Sequence, residues 1–256
     1  MNNKLFENYR KVYEQAFVPI FVHDNFDTEI LLKGCELAGV KAIEYTLRRS
    51  DADKVIPTLK NRYPNVAVFV GSTIDDEKIV CQMKQKYPQL MTIAELAPFV
   101  DGLVSMLPYS DETIRKYAPS HLIIPTAETS GEALRQMRSG ATMIKVCGPD
   151  FSFSKKLHAA PTFNYCPTFI TGGVNLDRME EAFSMGNVLT AAGFDLILKG
   201  EEPSTLTPER VAECLTRYID TAKAARSKVN PALANIESLS DEEFVLALPN
   251  YFSLCK

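Results

Sequence analysis

The sequence predicts an α/β fold, a (β/α)8 barrel. Three observations carry this: eight short apolar runs, amphipathic helical patterns between them, and a chain of 256 residues. Strands alternating with helical segments build βαβ units and a parallel sheet, and barrels of this length are commonly single domains. Residues 1–256 are accordingly read as one domain, with a barrel core at about 17–200 and a C-terminal helix and extension at 201–256.

The elements follow in order. A polar, charged segment, "MNNKLFENYRKVYEQAF", reads as a helix before the barrel. "VPIFV" (18–22) is the first strand and 27–39 the first barrel helix. "AIEYTL" (42–47) precedes a helical pattern at 51–63, and "VAVFVG" (66–71) precedes one at 75–87. The stretch 81–100 is long for one helix and carries Pro88 and Pro98, so an insertion after strand three with a second short helix is expected. "GLVSML" (102–107), "HLIIP" (121–125), "TMIKVC" (142–147), "PTFIT" (167–171) and "VLTAAG" (188–193) complete the eight strands. Helical patterns at 111–118, 130–139, 151–158 and 176–186 fall between them. The last helix, 208–227, opens with Thr207 as N-cap and Pro208 at the first helical position. The tail 228–256 has enough apolar residues to pack on the barrel or on a partner subunit.

Hydrophobic residues at 46% and charged residues at 23% are ordinary for a globular protein, so a sizeable core is expected. The net charge is −4 and no run of Lys or Arg forms a basic stripe, which argues against a nucleic-acid partner. No window approaches eighteen apolar residues, so no membrane span is expected, and the N-terminus does not resemble a signal peptide. Six widely spaced cysteines without a C-x-x-C pair point to free thiols in a reducing, cytoplasmic compartment. The three histidines form no metal-binding pattern.

Chemistry enters through side-chain alternation, because successive strand residues face opposite sides. In strand two, Ile43, Tyr45 and Leu47 suit the helix layer, leaving Glu44, Thr46 and Arg48 to face inward. In strand six, Ile144 and Val146 face the helices and Met143, Lys145 and Cys147 face in. In "VAVFVGST", Ala67, Phe69, Gly71 and Thr73 share one face. The interior is thus expected to hold Glu44, Arg48, Thr73 and Lys145 near the C-terminal strand ends, where barrel chemistry sits. Structural roles stand beside the functional ones: an ion pair for Glu44 with Lys145, a solvated loop for Arg48, a helix cap for Thr73. Together the four form a kit for amine chemistry on a keto acid. A lysine in a dry pocket supplies a neutral amine, a carboxylate shuttles protons, and an arginine with a hydroxyl captures a carboxylate. The turn "ITGGV" (170–174) adds bare N–H groups before a helix, an anion site where barrels often bind phosphate.

In order and approximate spacing, "GVKAIEYTLRR", "FVGST", "LIIPTAETSGEAL", "ATMIKVC" and "FITGGV" resemble the 2-keto-3-deoxy-6-phosphogluconate / 4-hydroxy-2-oxoglutarate aldolase family. The resemblance spans residues 17 to about 198. It implies a class I aldolase on a barrel, with Lys145 as the Schiff-base lysine and Glu44 as general acid/base. Arg48 and Thr73 would hold the carboxylate of the keto acid. Thr171, Gly172 and Gly173 would face its distal, usually phosphorylated, end. A trimer with no metal or other cofactor is implied, as is a small keto-acid substrate that yields pyruvate and an aldehyde. The sequence departs from the family after the lysine, where Val146, Cys147 and Gly148 replace an aromatic residue and proline. It departs again at "AAGF", where Gly193 replaces a serine expected near the phosphate. Two alternatives stay open: a phosphate-binding barrel isomerase or epimerase, and a barrel that binds a sugar acid without turnover.

Overall fold

Alternation along the short apolar runs sorts the strand side chains onto two faces, and each face needs its own cover. The structure, a computed structural model, describes residues 3–159 and 166–248. Its strands are β1 (Phe17–Phe21), β2 (Ala42–Thr46), β3 (Ala67–Thr73), β4 (Gly102–Ser105), β5 (Leu122–Ile124), β6 (Ile144–Cys147), β7 (Thr168–Thr171) and β8 (Leu189–Gly193). They pair in parallel in the order β5-β4-β3-β2-β1-β8-β7-β6. The two ends of that sheet meet at Lys145. Its N–H donates to Pro125 O at 2.8 Å and its carbonyl accepts from Ala127 N at 3.2 Å, in a parallel bridge opposite Thr126. A (β/α)8 barrel results.

The inner face carries Val18, Ile20, Ala42, Phe69, Ile124, Met143, Phe169 and Leu189 as one buried cluster. Its floor is α1 (Asn3–Gln15), which adds Leu5, Tyr9, Val12 and Tyr13. Gln15 locks this helix under the barrel: its amide donates to Phe17 O at 2.6 Å and Ala42 O at 2.8 Å and accepts from Ala42 N at 3.0 Å. The outer face packs on α2 (Thr28–Leu37), α3 (Ala52–Arg62), α4 (Glu77–Met83), α6 (Asp111–Tyr117), α7 (Ser130–Ser139), α8 (Ser152–His158), α9 (Met179–Ser184) and α11 (Pro208–Val229).

The insertion after β3 holds the expected second short helix, α5 (Ile93–Leu96), fixed by a Thr92–Glu95 capping box. A further helix, α10 (Phe194–Ile197), follows β8 directly. At four residues it is too short to leave a periodic signal in sequence. The extension packs on the barrel floor. Leu233, Ile236, Phe244 of α12 (Asp241–Ala247) and Leu248 join the inner cluster from below. Residues 249–256, including Cys255, lie outside the described residues. The five described cysteines are free thiols, and no described helix is long and apolar enough to cross a membrane.

Phe244 is fully buried, with ring centroids 5.7 Å from Tyr13 and 5.9 Å from Phe6. Truncating such a residue leaves a cavity, so Phe244→Ala is expected to destabilise the protein by about 3–5 kcal/mol. A urea-denaturation midpoint checks this; an unchanged midpoint would show that the extension only rests on the surface.

Candidate active site

The site is built around a buried carboxyl and a buried amine that do not touch. Glu44 lies on the inner face of β2 and is 2% exposed. Its carboxyl sits directly above Gly71 of β3, where any Cβ would collide with Oε1, so a glycine there creates the space for the carboxyl. Glu44 Oε2 is buried and has no hydrogen-bond partner. Beneath it lies a void of about 10 Å³ lined by Val12, Val18, Phe69 and Phe169, at the lower limit for one water. Burial raises the Glu44 pKa above its ordinary value, opposed by the charges of Lys145 and then Arg48.

Lys145, 4% exposed, extends from β6 into the same interior. Its Nζ donates to Ser105 O at 3.3 Å and approaches Met106 Sδ at 3.9 Å. Both contacts are long, so the amine is held loosely. Ser105 O also accepts from Thr126 Oγ1 at 2.6 Å, and Thr126 N donates to Ser105 Oγ at 2.9 Å, which fixes the β4 end against β5 beside the lysine. Thr126 continues the inward face of Leu122 and Ile124, a period-two signal that would have found it.

Arg48 and Arg49 separate sharply. Arg49 is buried outside the barrel, its guanidinium donating to Tyr45 OH at 2.9 Å, Thr28 Oγ1 at 2.6 Å and Asp51 Oδ1 at 3.2 Å. Arg48 is exposed at the rim, forms no hydrogen bond or ion pair with a described residue, and lies close enough to lower the pKa of Glu44. It is available to a ligand.

Thr73 corrects the sequence expectation. It does not share the inner face with Phe69 and Gly71. The register between β3 and β4 shifts between Val70 and Thr73, and one extra residue in a strand moves all later side chains to the other face. Thr73 is fully buried; its hydroxyl donates to Val104 O at 2.8 Å and is hydrogen-bonded to Tyr109 OH, a residue of the outer core. Ser72 lies within the shift. It has φ of 62°, in the left-handed region, and its buried Oγ lacks a partner. A non-glycine residue there costs about 1–2 kcal/mol. Nothing in a period-two reading announces such a bulge.

The distal end differs too. Thr171 ends β7 on the inner face, and Gly172 and Gly173 turn with φ of 90° and 75°. Their N–H groups donate to no described acceptor. The helical turn that follows is already capped, because Asn175 Oδ1 accepts from Arg178 N at 3.0 Å. The Arg178 guanidinium stacks on Phe151 at 4.0 Å, donates to Pro149 O and reaches Glu181 at 2.9 Å. Gly193 follows Ala191 on the inner face of β8, but its side-chain position is occupied: a Cβ there would collide with Asp195 Oδ1. Among the described residues no cluster of His, Cys, Asp and Glu is arranged to hold a metal.

No family model matches this chain, and no curated protein matches it significantly. Solved structures do. A 4-hydroxy-2-oxoglutarate aldolase/2-deydro-3-deoxyphosphogluconate aldolase from TTHB1 superposes with a TM-score of 0.63 at 18% identity, over 84% of this chain and 98% of that one. A KDPG aldolase from Legionella pneumophila, with pyruvate captured as a covalent carbinolamine, gives 0.61 at 16% identity over 82% and 96%. The Zymomonas mobilis ZM4 2-keto-3-deoxy-6-phosphogluconate aldolase with 3-phosphoglycerate gives 0.59 at 14% identity over 82% and 93%. The chain has the fold of these aldolases.

The environment of Glu44 has a measurable consequence. Its raised pKa means that ionisation opposes folding. Its contribution is therefore least unfavourable below the ordinary value of 4.5, and stability is lost as pH rises through the higher folded-state value. Glu44→Gln removes that loss. Its stability relative to the parent, read from urea midpoints, is expected to increase from below pH 4.5 to neutral pH. A difference that shrinks with pH would mean that Lys145 stabilises the carboxylate more than burial penalises it.

Proposed function

We infer that this chain is a class I aldolase, cleaving a 2-keto-3-deoxy sugar acid or a related 4-hydroxy-2-oxo acid to pyruvate and an aldehyde. The observation that carries the reading is the pair at the barrel mouth. A buried amine with only long contacts stands in one interior with a carboxyl whose Oε2 has no partner. A structural ion pair would bring the two groups together. Kept apart, each keeps its capacity to bond a substrate.

The chemistry follows from this arrangement. Arg48 at the rim draws in the keto-acid carboxylate. The unprotonated Lys145 Nζ attacks C2, and loss of water from the carbinolamine gives an iminium. Glu44 takes the proton from the C4 hydroxyl, the C3–C4 bond breaks, and its electron pair moves into the iminium to form an enamine as the aldehyde leaves. Glu44 is suited to this because its raised pKa brings it nearer to neutrality as a base and as an acid. Protonation at C3 and attack of water on C2 release pyruvate and restore the amine. The pyruvate carbinolamine of the Legionella aldolase, on the same fold, supports this route.

Pyruvate followed by borohydride is expected to add a reduced pyruvyl group at Lys145, located by peptide mass. Lys145→Ala should lose both the adduct and turnover. An unlabelled protein that still turns over keto acids would favour a barrel isomerase or epimerase without an imine. Glu44→Gln should keep the adduct while cleavage falls about 10²-fold or more. In the parent enzyme the acidic limb of kcat/KM should lie above pH 4.5, the ordinary value for the carboxyl. Wild-type cleavage by Glu44→Gln would return that residue to a structural role.

A further inference from the structure

The glycine turn after β7 and the strand end of β8 form the wall that a substrate's far end meets, and their polar groups are of two kinds. On β7 the Gly172 and Gly173 N–H groups are donors without a described acceptor. Just past β8, in α10, the exposed side chain of Asp195 sets its carboxylate at the position that a Cβ at Gly193 would take, a position that also lies 3.1 Å from Val22 Cγ2. These strands are hydrogen-bonded neighbours, paired at Thr171 and Ala191, so the two sets of groups follow adjacent strand ends. Asp195 forms no hydrogen bond or ion pair with a described residue.

A phosphate offers only acceptors and negative charge. It could take the glycine N–H groups but would face the Asp195 carboxylate, with no donor to return. Arg178, whose guanidinium lies beside Gly173, already binds Pro149 O and Glu181. A hydroxyl both accepts and donates, so it satisfies an N–H and a carboxylate together. We propose that Asp195 selects substrates whose distal end is a neutral, hydroxylated carbon chain and rejects phosphorylated ones. This rests on the aldolase reading and adds the substrate class.

The experiment compares kcat/KM for a 2-keto-3-deoxy sugar acid and its 6-phosphate, in the parent enzyme and in Asp195→Ala and Asp195→Asn, with pyruvate–borohydride labelling of Lys145 in parallel. The parent should favour the free acid. Both variants should shift the ratio toward the phosphate by about tenfold or more, the scale of one hydrogen bond to a charged group. If Asp195→Ala is poorly folded, Asp195→Asn keeps the shape and removes the charge. Labelled Lys145 with a parent preference for the phosphate, or with the same ratio in folded variants, would overturn the role of Asp195 and leave the aldolase reading standing. A protein that pyruvate does not label and that cleaves neither acid would overturn both.

Discussion

Lys145 joins two constraints in one residue. Its backbone closes the ring, bonding to Pro125 and Ala127 across the seam between β5 and β6. Its side chain extends into the interior that this closure creates, above a layer of Phe69, Phe169 and Met143. A basic group in such surroundings needs a partner, and the carboxyl it acts on is Glu44, four strands away around the ring by way of β7, β8 and β1. Because Glu44 is held above Gly71, the two groups act on each other without contact. The floor helix and the extension contribute by covering the interior from below.

Much of this was legible before the structure. Period-two alternation placed Glu44 and Lys145 on the inner face, and both are there, because the short central strands leave one orientation that buries their apolar neighbours. The same rule failed at the end of β3. The register shift between Val70 and Thr73 inserts one residue and turns Thr73 outward, and a bulge leaves no mark in hydrophobic periodicity. Arg48 and Arg49 are indistinguishable as letters. Alternation puts Arg48 on the face of Glu44, and the outer cluster of Tyr45, Thr28 and Asp51 is what makes Arg49 a buried structural guanidinium.

The mouth divides into two halves with different chemistry. The half built from β2, β4 and β6 carries the amine, the carboxyl and an uncommitted arginine. The half built from β7 and β8 was expected to present bare N–H groups at a helix start to an anion. Asn175 caps the helical turn through the Arg178 N–H, the Gly172 and Gly173 N–H groups stay without a described acceptor, and Asp195 adds a carboxylate that sequence could not place, since α10 is too short to show periodicity. The first half thus holds Glu44, Lys145 and Arg48 but not Thr73, and the second sets backbone donors beside a carboxylate.

The central claim is that the separation of Lys145 and Glu44 is the room for a covalently bound keto acid. A crystal structure of the protein soaked with pyruvate tests it most directly. The account predicts continuous density from Lys145 Nζ to C2 of pyruvate, the carboxylate turned toward Arg48, and Glu44 Oε2 within hydrogen-bond reach of the bound species or of a water beside it. Pyruvate bound without a covalent link, or an interior in which Lys145 closes onto Glu44 and excludes it, would contradict the account.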